Sequence, residues 1–163
     1  MNGHLDELLR TLPQTGSVRW IGVRPARGQP MELIDAVEAR PGKGLIGDRY
    51  GGRGGKREVT LLQWEHLPVI ASLLGRDEVI PASLRRNIAV AGINLLALRD
   101  REFTIGNAVL RGTGLCQPCS KMETALGAGG YNAMRGHGGI TAQVIKGGII
   151  RLWDEVMLDA KTL

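Results

Sequence analysis

Residues 102–123 read EFTIGNAVLRGTGLCQPCSKME, and their interpretation decides the fold. The first thirteen form two strand segments around a turn at Gly106-Asn107. The strand AVLRGTG then runs into a C-x-x-C pair, Cys116 and Cys119, the only cysteines of the chain. Four chemistries compete for that pair: a redox dithiol, half of a zinc site, two small buried hydrophobes, or one reactive or metal-binding thiolate. A structural zinc site needs four Cys or His ligands, and His4, His66 and His137 complete none at finger spacing. A thioredoxin-type dithiol opens a helix after a strand. SKMETAL (120–126) is compatible with a short helix, yet no βαβ unit surrounds the motif. Buried free cysteines are common, but Gln117, Ser120 and Lys121 are polar company for a core segment, and a cation such as Lys121 favours a thiolate.

Working outward, the rest of the chain reads as short strands broken by glycine turns. Residues 4–12, HLDELLRTL, place apolar side chains at 5, 8, 9 and 12, one face of a helix. VRWIGVRP (18–25) reads as a strand. MELIDAVEAR (31–40) fits strand and helix spacing alike, and after the Pro25–Pro30 turn it is taken as the second strand of a hairpin. Residues 41–57, PGKGLIGDRYGGRGGKR, form a long, basic, glycine-rich connection of the kind that often carries function. EVTLLQ (58–63) is a strand, and WEHLPVIASLLG (64–75) is a helix starting near Pro68. PASLRRNIAVAG (81–92) opens with a helical turn and ends in a strand, and INLLALRD (93–100) holds one helical turn. GGITAQVIKGGIIRLWDEVMLDA (138–160) reads as a hairpin turning at Lys146-Gly147-Gly148. About seven strands with two or three small helices predict a mainly β, barrel-like α+β fold in one domain, 1–163, with its core over about 18–160.

The composition limits the function classes. The chain has 163 residues, 43% of them hydrophobic and 23% charged, which suits a globular protein. No apolar run approaches the roughly 20 residues that span a bilayer, and MNGHLDELLRTLPQTG lacks a signal-peptide layout. With only two cysteines, a reducing, cytoplasmic setting is expected. A net charge of +5 points to an anionic partner. Nucleic acid is a poor fit, because single-strand binders offer aromatic platforms and only six aromatic residues are present, with Trp20, Trp64 and Trp153 all in structured segments.

Several motifs fail on inspection. GGRGGKR is no phosphate loop, because Tyr50 stands where its first glycine belongs and Arg57 replaces the Ser/Thr that would hold magnesium. GAGGYN lacks the third glycine of a dinucleotide fingerprint. No G-x-S-x-G elbow exists. Arg85, Arg86 and Asn87 are more informative. In an extended segment Arg85 and Asn87 point the same way, and a guanidinium with a carboxamide suits phosphate oxygens or a purine-like ring.

Taken in order, GLIGDRY (44–50), REVTLLQWEHL (57–67), LRRNIAVAGINLLAL (84–98), FTIGNAVLRGTGLCQPCSKME (103–123) and RGHGGITAQVIKGGIIRLWDEV (135–156) resemble the MOSC domain, named for the C-terminal domain of molybdenum cofactor sulfurase. The resemblance implies a MOSC-type β-barrel that binds the molybdenum cofactor, a molybdopterin with a dithiolene and a phosphate. It implies an oxidoreductase independent of pyridoxal phosphate that reduces N-hydroxylated bases or amidoximes. PCSKM matches the family's ligand motif, making Cys119 the implied metal ligand and catalytic thiolate, with Cys116 a neighbour. R-x-N-I falls on Arg85, Asn87 and Ile88, and the GD element on Asp48. A soft thiolate suits molybdenum beside dithiolene sulfurs. The cofactor's phosphate is expected among Lys43–Arg57, the Arg85-Arg86 pair and Arg135, with Gly138 and Gly139 letting backbone approach the pterin. His137 is a candidate proton donor to the leaving oxygen.

The implied partners are a small-molecule substrate and an external electron-donor reductase, with no membrane partner and a homo-oligomer left open. Larger family members carry an extra N-terminal barrel that 163 residues do not accommodate, so an open pocket, or one completed by another subunit, is expected. The alternative is a non-catalytic cofactor or sulfur carrier with a persulfide on Cys119.

Overall fold

Pairing around Gly106-Asn107 is antiparallel, as expected, and it forms one side of a closed barrel in the computed structural model, which describes residues 3–50 and 55–162. In chain order the strands are β1 (Gly16–Val23), β2 (Glu32–Leu33), β3 (Ala36–Arg40), β4 (Gly44–Leu45), β5 (Val59–Gln63), β6 (Ile88–Ala91), β7 (Glu102–Ile105), β8 (Ala108–Leu115), β9 (Ile140–Lys146), β10 (Gly148–Arg151) and β11 (Glu155–Leu158). The α-helices are α1 (Gly3–Arg10), α2 (His66–Leu73), α3 (Ser120–Leu126) and α4 (Gly130–Met134). Single 3-10 turns cover Pro81–Leu84, Leu95–Leu98 and Ala160–Thr162.

One sheet runs β11-β7-β8-β9-β5-β6-β1-β2, and β1 also pairs with β11. That pairing (Gly16 opposite Val156) shuts the ring of seven strands and leaves β2 as an outer flap on β1. Closure removes free sheet edges, which short strands of this kind otherwise expose. All pairs are antiparallel except β5 with β6. Their parallel link needs a crossover, and α2 with the Pro81–Leu84 turn supplies it.

Two apolar layers explain the strand sequences. Val18, Ile21, Leu61, Ile88, Phe103, Leu110, Ile140 and Val156 fill the barrel. Trp20, Leu62, Ile70, Leu84, Ala89, Met122, Leu126 and Met134 form a second layer between the wall and the helices. Strand β6, IAVA, is buried at every position because both of its faces are covered. Glu58 is the buried acid of the barrel rim, accepting from Gly42 N–H at 3.0 Å and Val144 N–H at 2.8 Å.

Four expectations need correction. The hairpin read over 138–160 does not form: β9 pairs with β5 and β8, while β10 leaves the barrel to join β3 and β4 in a separate three-stranded sheet. Residues 31–40 split likewise, with β2 making the expected hairpin with β1 and β3 entering the small sheet. Helix α2 begins at His66, with Pro68 inside its first turn, where a missing N–H costs nothing. Arg85 is not extended: it closes the Pro81–Leu84 turn in the left-handed region (φ 58°), so it and Asn87 do not alternate as strand residues. Of the glycine-rich connection 41–57, residues 51–54 lie outside the described residues.

Candidate functional site

The end of β8 builds the site. Strands β8 and β9 pair up to Leu115 opposite Ile140, and one residue further Cys116 N–H still donates to Gly139 O at 2.9 Å. Cys116 is thereby locked, with 3% of its surface exposed. The chain then turns through Gln117-Pro118 into α3. Cys119 sits at the helix boundary in extended backbone (φ −127°, ψ 176°), and its thiol is exposed. The C-x-x-C is therefore one buried and one accessible sulfur.

Both cysteines border a cavity of about 370 Å³. Its wall collects the crossing ends of four segments: Arg24 after β1, Asp48, Arg49 and Tyr50 from the glycine-rich connection, Arg57 and Thr60 around β5, and Arg85, Arg86 and Asn87 before β6. Lys121 and Met122 of α3 complete it. Six Lys or Arg side chains face two acids there, Asp48 and Glu58, and Glu58 is already engaged by backbone N–H groups. The wall of the cavity is predominantly basic, a surface that favours an anion.

Arg24 gives the sharpest indication. Its backbone N–H donates to Asp48 Oδ1 at 2.9 Å, and Arg49 N–H donates to Arg24 O at 2.7 Å, so Asp48 clamps the two arginines together. Yet the Nε and Nη1 of Arg24 are buried without a hydrogen-bond partner among the described residues. Buried guanidinium nitrogens without acceptors are costly, and an anionic ligand would satisfy them. Burial pushes the Asp48 carboxyl up from the usual range, against the opposing pull of the Tyr50 N–H, the Asn87 amide and Arg49.

The neighbouring basic and amide groups divide by role. Arg86 is buried and spends its guanidinium on backbone: Nε to Gly138 O at 2.8 Å, Nη1 to Leu84 O at 2.9 Å, and Nη2 to Cys116 O at 3.3 Å. Asn87 joins strands, accepting from Thr60 N–H at 3.1 Å and donating to Gly22 O at 3.2 Å. Arg85, half-buried on its left-handed turn, lines the cavity and also a second one of about 430 Å³ beyond Arg24 and Met31. Arg57 Nη2 stands 3.9 Å from Cys116 Sγ.

Of the residues singled out from the sequence, Asp48, Arg57, Arg85, Arg86, Asn87 and Cys119 thus gather at one cavity. The others do not border it. Arg135 is exposed and turns to Asn132 Oδ1 at 3.4 Å. Gly138 and Gly139 border a different cavity, of about 400 Å³, on the far side of Cys116. Their lack of side chains serves the protein's own backbone: a Cβ at Gly138 would meet the Cys116 carbonyl, and one at Gly139 the Leu61 carbonyl. His137 bonds Ala133 O through Nδ1 at 3.0 Å and packs edge-on against His66, ring centroids 5.0 Å apart. Sequence reasoning missed Arg24 and Thr60, and covered Arg49 only as part of the basic stretch Lys43–Arg57. Arg49 adjoins Asp48 in GDRY and was within reach, whereas nothing local marks Arg24. Among the described residues no three His, Cys, Asp or Glu side chains cluster to hold a bare metal ion.

A family model described as MOSC domain matches residues 43–157. Among solved structures, the YuaD protein from Bacillus subtilis superposes with a TM-score of 0.77 at 20% identity, over 90% of this chain and 97% of that one. YiiM from Geobacillus stearothermophilus gives 0.72 at 17% identity, over 88% and 75%. YiiM from Escherichia coli gives 0.69 at 19% identity, over 88% and 70%. At such identities these likenesses concern the fold alone. No curated protein sequence matches.

Proposed function

The chain belongs to the MOSC domain family, often associated with the molybdenum cofactor, and we propose that this protein is a cofactor-dependent reductase of N-hydroxylated bases or amidoximes. The observation that carries the reading is the pairing, in one cavity, of an exposed Cys119 with guanidinium nitrogens of Arg24 that have no partner among the described residues. A cofactor with a phosphate at one end and a thiolate-seeking metal at the other needs that donor set.

In this reading Arg24, Arg49 and Arg85 hold the phosphate, and Asp48 positions the first two through backbone contacts rather than by touching the ligand. Cys119 Sγ is the protein's ligand to the metal. Cys116, fixed by Arg86 and Gly139, shapes the wall behind it. The bound cofactor would supply two-electron chemistry, so that an N-hydroxy group, two electrons and two protons give the N–H compound and water. The electrons come from an external reductase in a reducing, cytoplasmic setting that keeps both thiols free. The carrier alternative draws support from the exposure of Cys119, which a persulfide donor could reach.

The test is the molybdenum and pterin content of protein purified from cells that make the cofactor, with amidoxime reduction assayed in parallel. Wild type should carry both and turn over, and Cys119→Ser should lose the metal and the activity. Protein without molybdenum or pterin, or an unaffected Cys119→Ser variant, overturns the reading. A stable persulfide on Cys119 without reduction favours the carrier.

A further inference from the structure

Arg24 and Arg85 belong to two cavities at once. One is the cysteine cavity of about 370 Å³, and the other is the neighbouring cavity of about 430 Å³. Met31 also lines both, so the two spaces adjoin along these three side chains. Each volume falls in the roughly 300–1,000 Å³ range of ligand pockets. Three segments wall the second: the β1–β2 loop with Gln29 and Pro30, the Pro81–Leu84 turn with Ala82 and Ser83, and α3 with Ala125.

The two cavities differ in charge. The first carries six Lys or Arg side chains. Among the described residues, the second carries no acid and no cation beyond the shared Arg24 and Arg85. The rest of its wall is small or apolar around one carboxamide and one hydroxyl, Gln29 and Ser83. At the boundary, Arg24 Nε and Nη1 are buried without a partner among the described residues. Arg85 is held there by a left-handed turn (φ 58°), a strained region that non-glycine residues rarely take and that recurs at ligand clamps. A phosphate at this boundary meets both guanidinium groups, and whatever is esterified to it enters a space that offers no further charge.

We propose that the second cavity takes a nucleoside, joined through its 5′-phosphate to the anion held in the cysteine cavity. A nucleoside is uncharged and leaves the cations to its phosphates. Its flat base suits the Pro30 ring and the soft Met31 thioether. Its base edge and ribose hydroxyls suit the Gln29 amide and the Ser83 hydroxyl, which both donate and accept. An acyl chain fits worse, because among the described residues that wall holds no Leu, Ile, Val or Phe. The inference rests on the phosphate site of the cofactor reading, and not on molybdenum or on Cys119.

Calorimetric titration of the full chain, made in cells that lack the cofactor, with inorganic pyrophosphate and with ADP tests it. ADP should bind at least about tenfold more tightly than pyrophosphate. Ala125→Trp, at an exposed position that borders the second cavity and not the first, should remove that advantage. It should leave the pyrophosphate affinity within about twofold, since it adds bulk only where the nucleoside sits. Ser83→Tyr, from another wall, should do the same, and Arg24→Met should weaken both ligands at least about tenfold. Pyrophosphate binding with no advantage for ADP overturns the inference and leaves the phosphate site standing. So does an ADP advantage that survives both Ala125→Trp and Ser83→Tyr. Binding of neither ligand overturns it together with the phosphate site. A preference for ADP in a protein that never acquires molybdenum supports the nucleoside site and sinks the cofactor reading.

Discussion

Arg86 holds Gly138 from inside the wall: its Nε donates to the Gly138 carbonyl at 2.8 Å, and the same guanidinium reaches Cys116 O at 3.3 Å. It therefore staples the segment before β9 to the segment after β8, which carries Cys116 in the cavity wall. Arg86→Met should destabilise the protein by about 2–4 kcal/mol, because three buried carbonyls lose a charged donor. Arg85→Met, one residue away, should cost about 1 kcal/mol or less and act instead on ligand retention. Urea unfolding of the two variants separates a structural arginine from a binding one.

Gly139 has φ +84°, and a Cβ there would meet the Leu61 carbonyl. Gly139→Ala should lose more than about 2 kcal/mol of stability, from strain and a displaced β5 backbone. The comparison is Gly129→Ala, also at positive φ (88°) but with open space around it, which should lose only the conformational cost of about 1 kcal/mol. Thermal unfolding followed by circular dichroism reads the difference.

The His66 ring carries a pH dependence. Burial lowers its pKa below the ordinary 6.5, the neighbouring His137 adds to that, and Glu65 opposes it. The unfolded chain thus takes up the proton before the folded one does. Stability is fully present above the unfolded value and declines as the pH falls below 6.5 towards the folded value. His66→Gln should flatten that part of the profile. Unfolding midpoints measured from neutral pH down to about pH 5 check it, and an unchanged slope in the variant counts against His66 as the source.

Arg24 sets ligand-free stability against binding. Its Nε and Nη1, buried without a partner among the described residues, make the cavity costly without a ligand. Arg24→Met should therefore raise the stability of the ligand-free protein by about 1 kcal/mol. Wild type should gain about 2.7 kcal/mol when pyrophosphate is present at a hundred times its dissociation constant, and Arg24→Met should gain almost nothing. Thermal shift with and without pyrophosphate measures both effects.

The two thiols should react at different rates. Cys119 is exposed and Cys116 retains 3% of its surface. An alkylating reagent under native conditions should label Cys119 first, with Cys116 following only on unfolding. Peptide mass spectrometry assigns the label, and equal labelling of the folded protein would contradict the described wall.

Much of this molecule could be read along the chain. Glycine-punctuated strands, the Gly106-Asn107 turn and the motifs of residues 44–156 led to the barrel, because turn chemistry and strand alternation are local properties. Asp48, Arg57, Arg85, Asn87 and Cys119 were legible too, since ordered motifs carried them. Strand partnership was not. KGG at 146–148 has the chemistry of a hairpin turn, yet β10 binds β3 across more than a hundred residues, because closing the barrel leaves β9 fully paired with β5 and β8.

The sequence by itself determined the fold family, the basic character of the cavity and the pair of sulfurs within it. Only the tertiary structure decided which member of each pair does what. It buried Arg86 among carbonyls and left Arg85 at the cavity, locked Cys116 in the wall and exposed Cys119, and turned His137 to His66 rather than to the thiols. It also brought in Arg24, which no motif marks, and turned the leucines of α1 outward. The physical reason is common to all of these. Adjacent residues have the same local propensity, and burial and hydrogen-bond satisfaction, which set their roles, depend on segments that meet only when the ring closes.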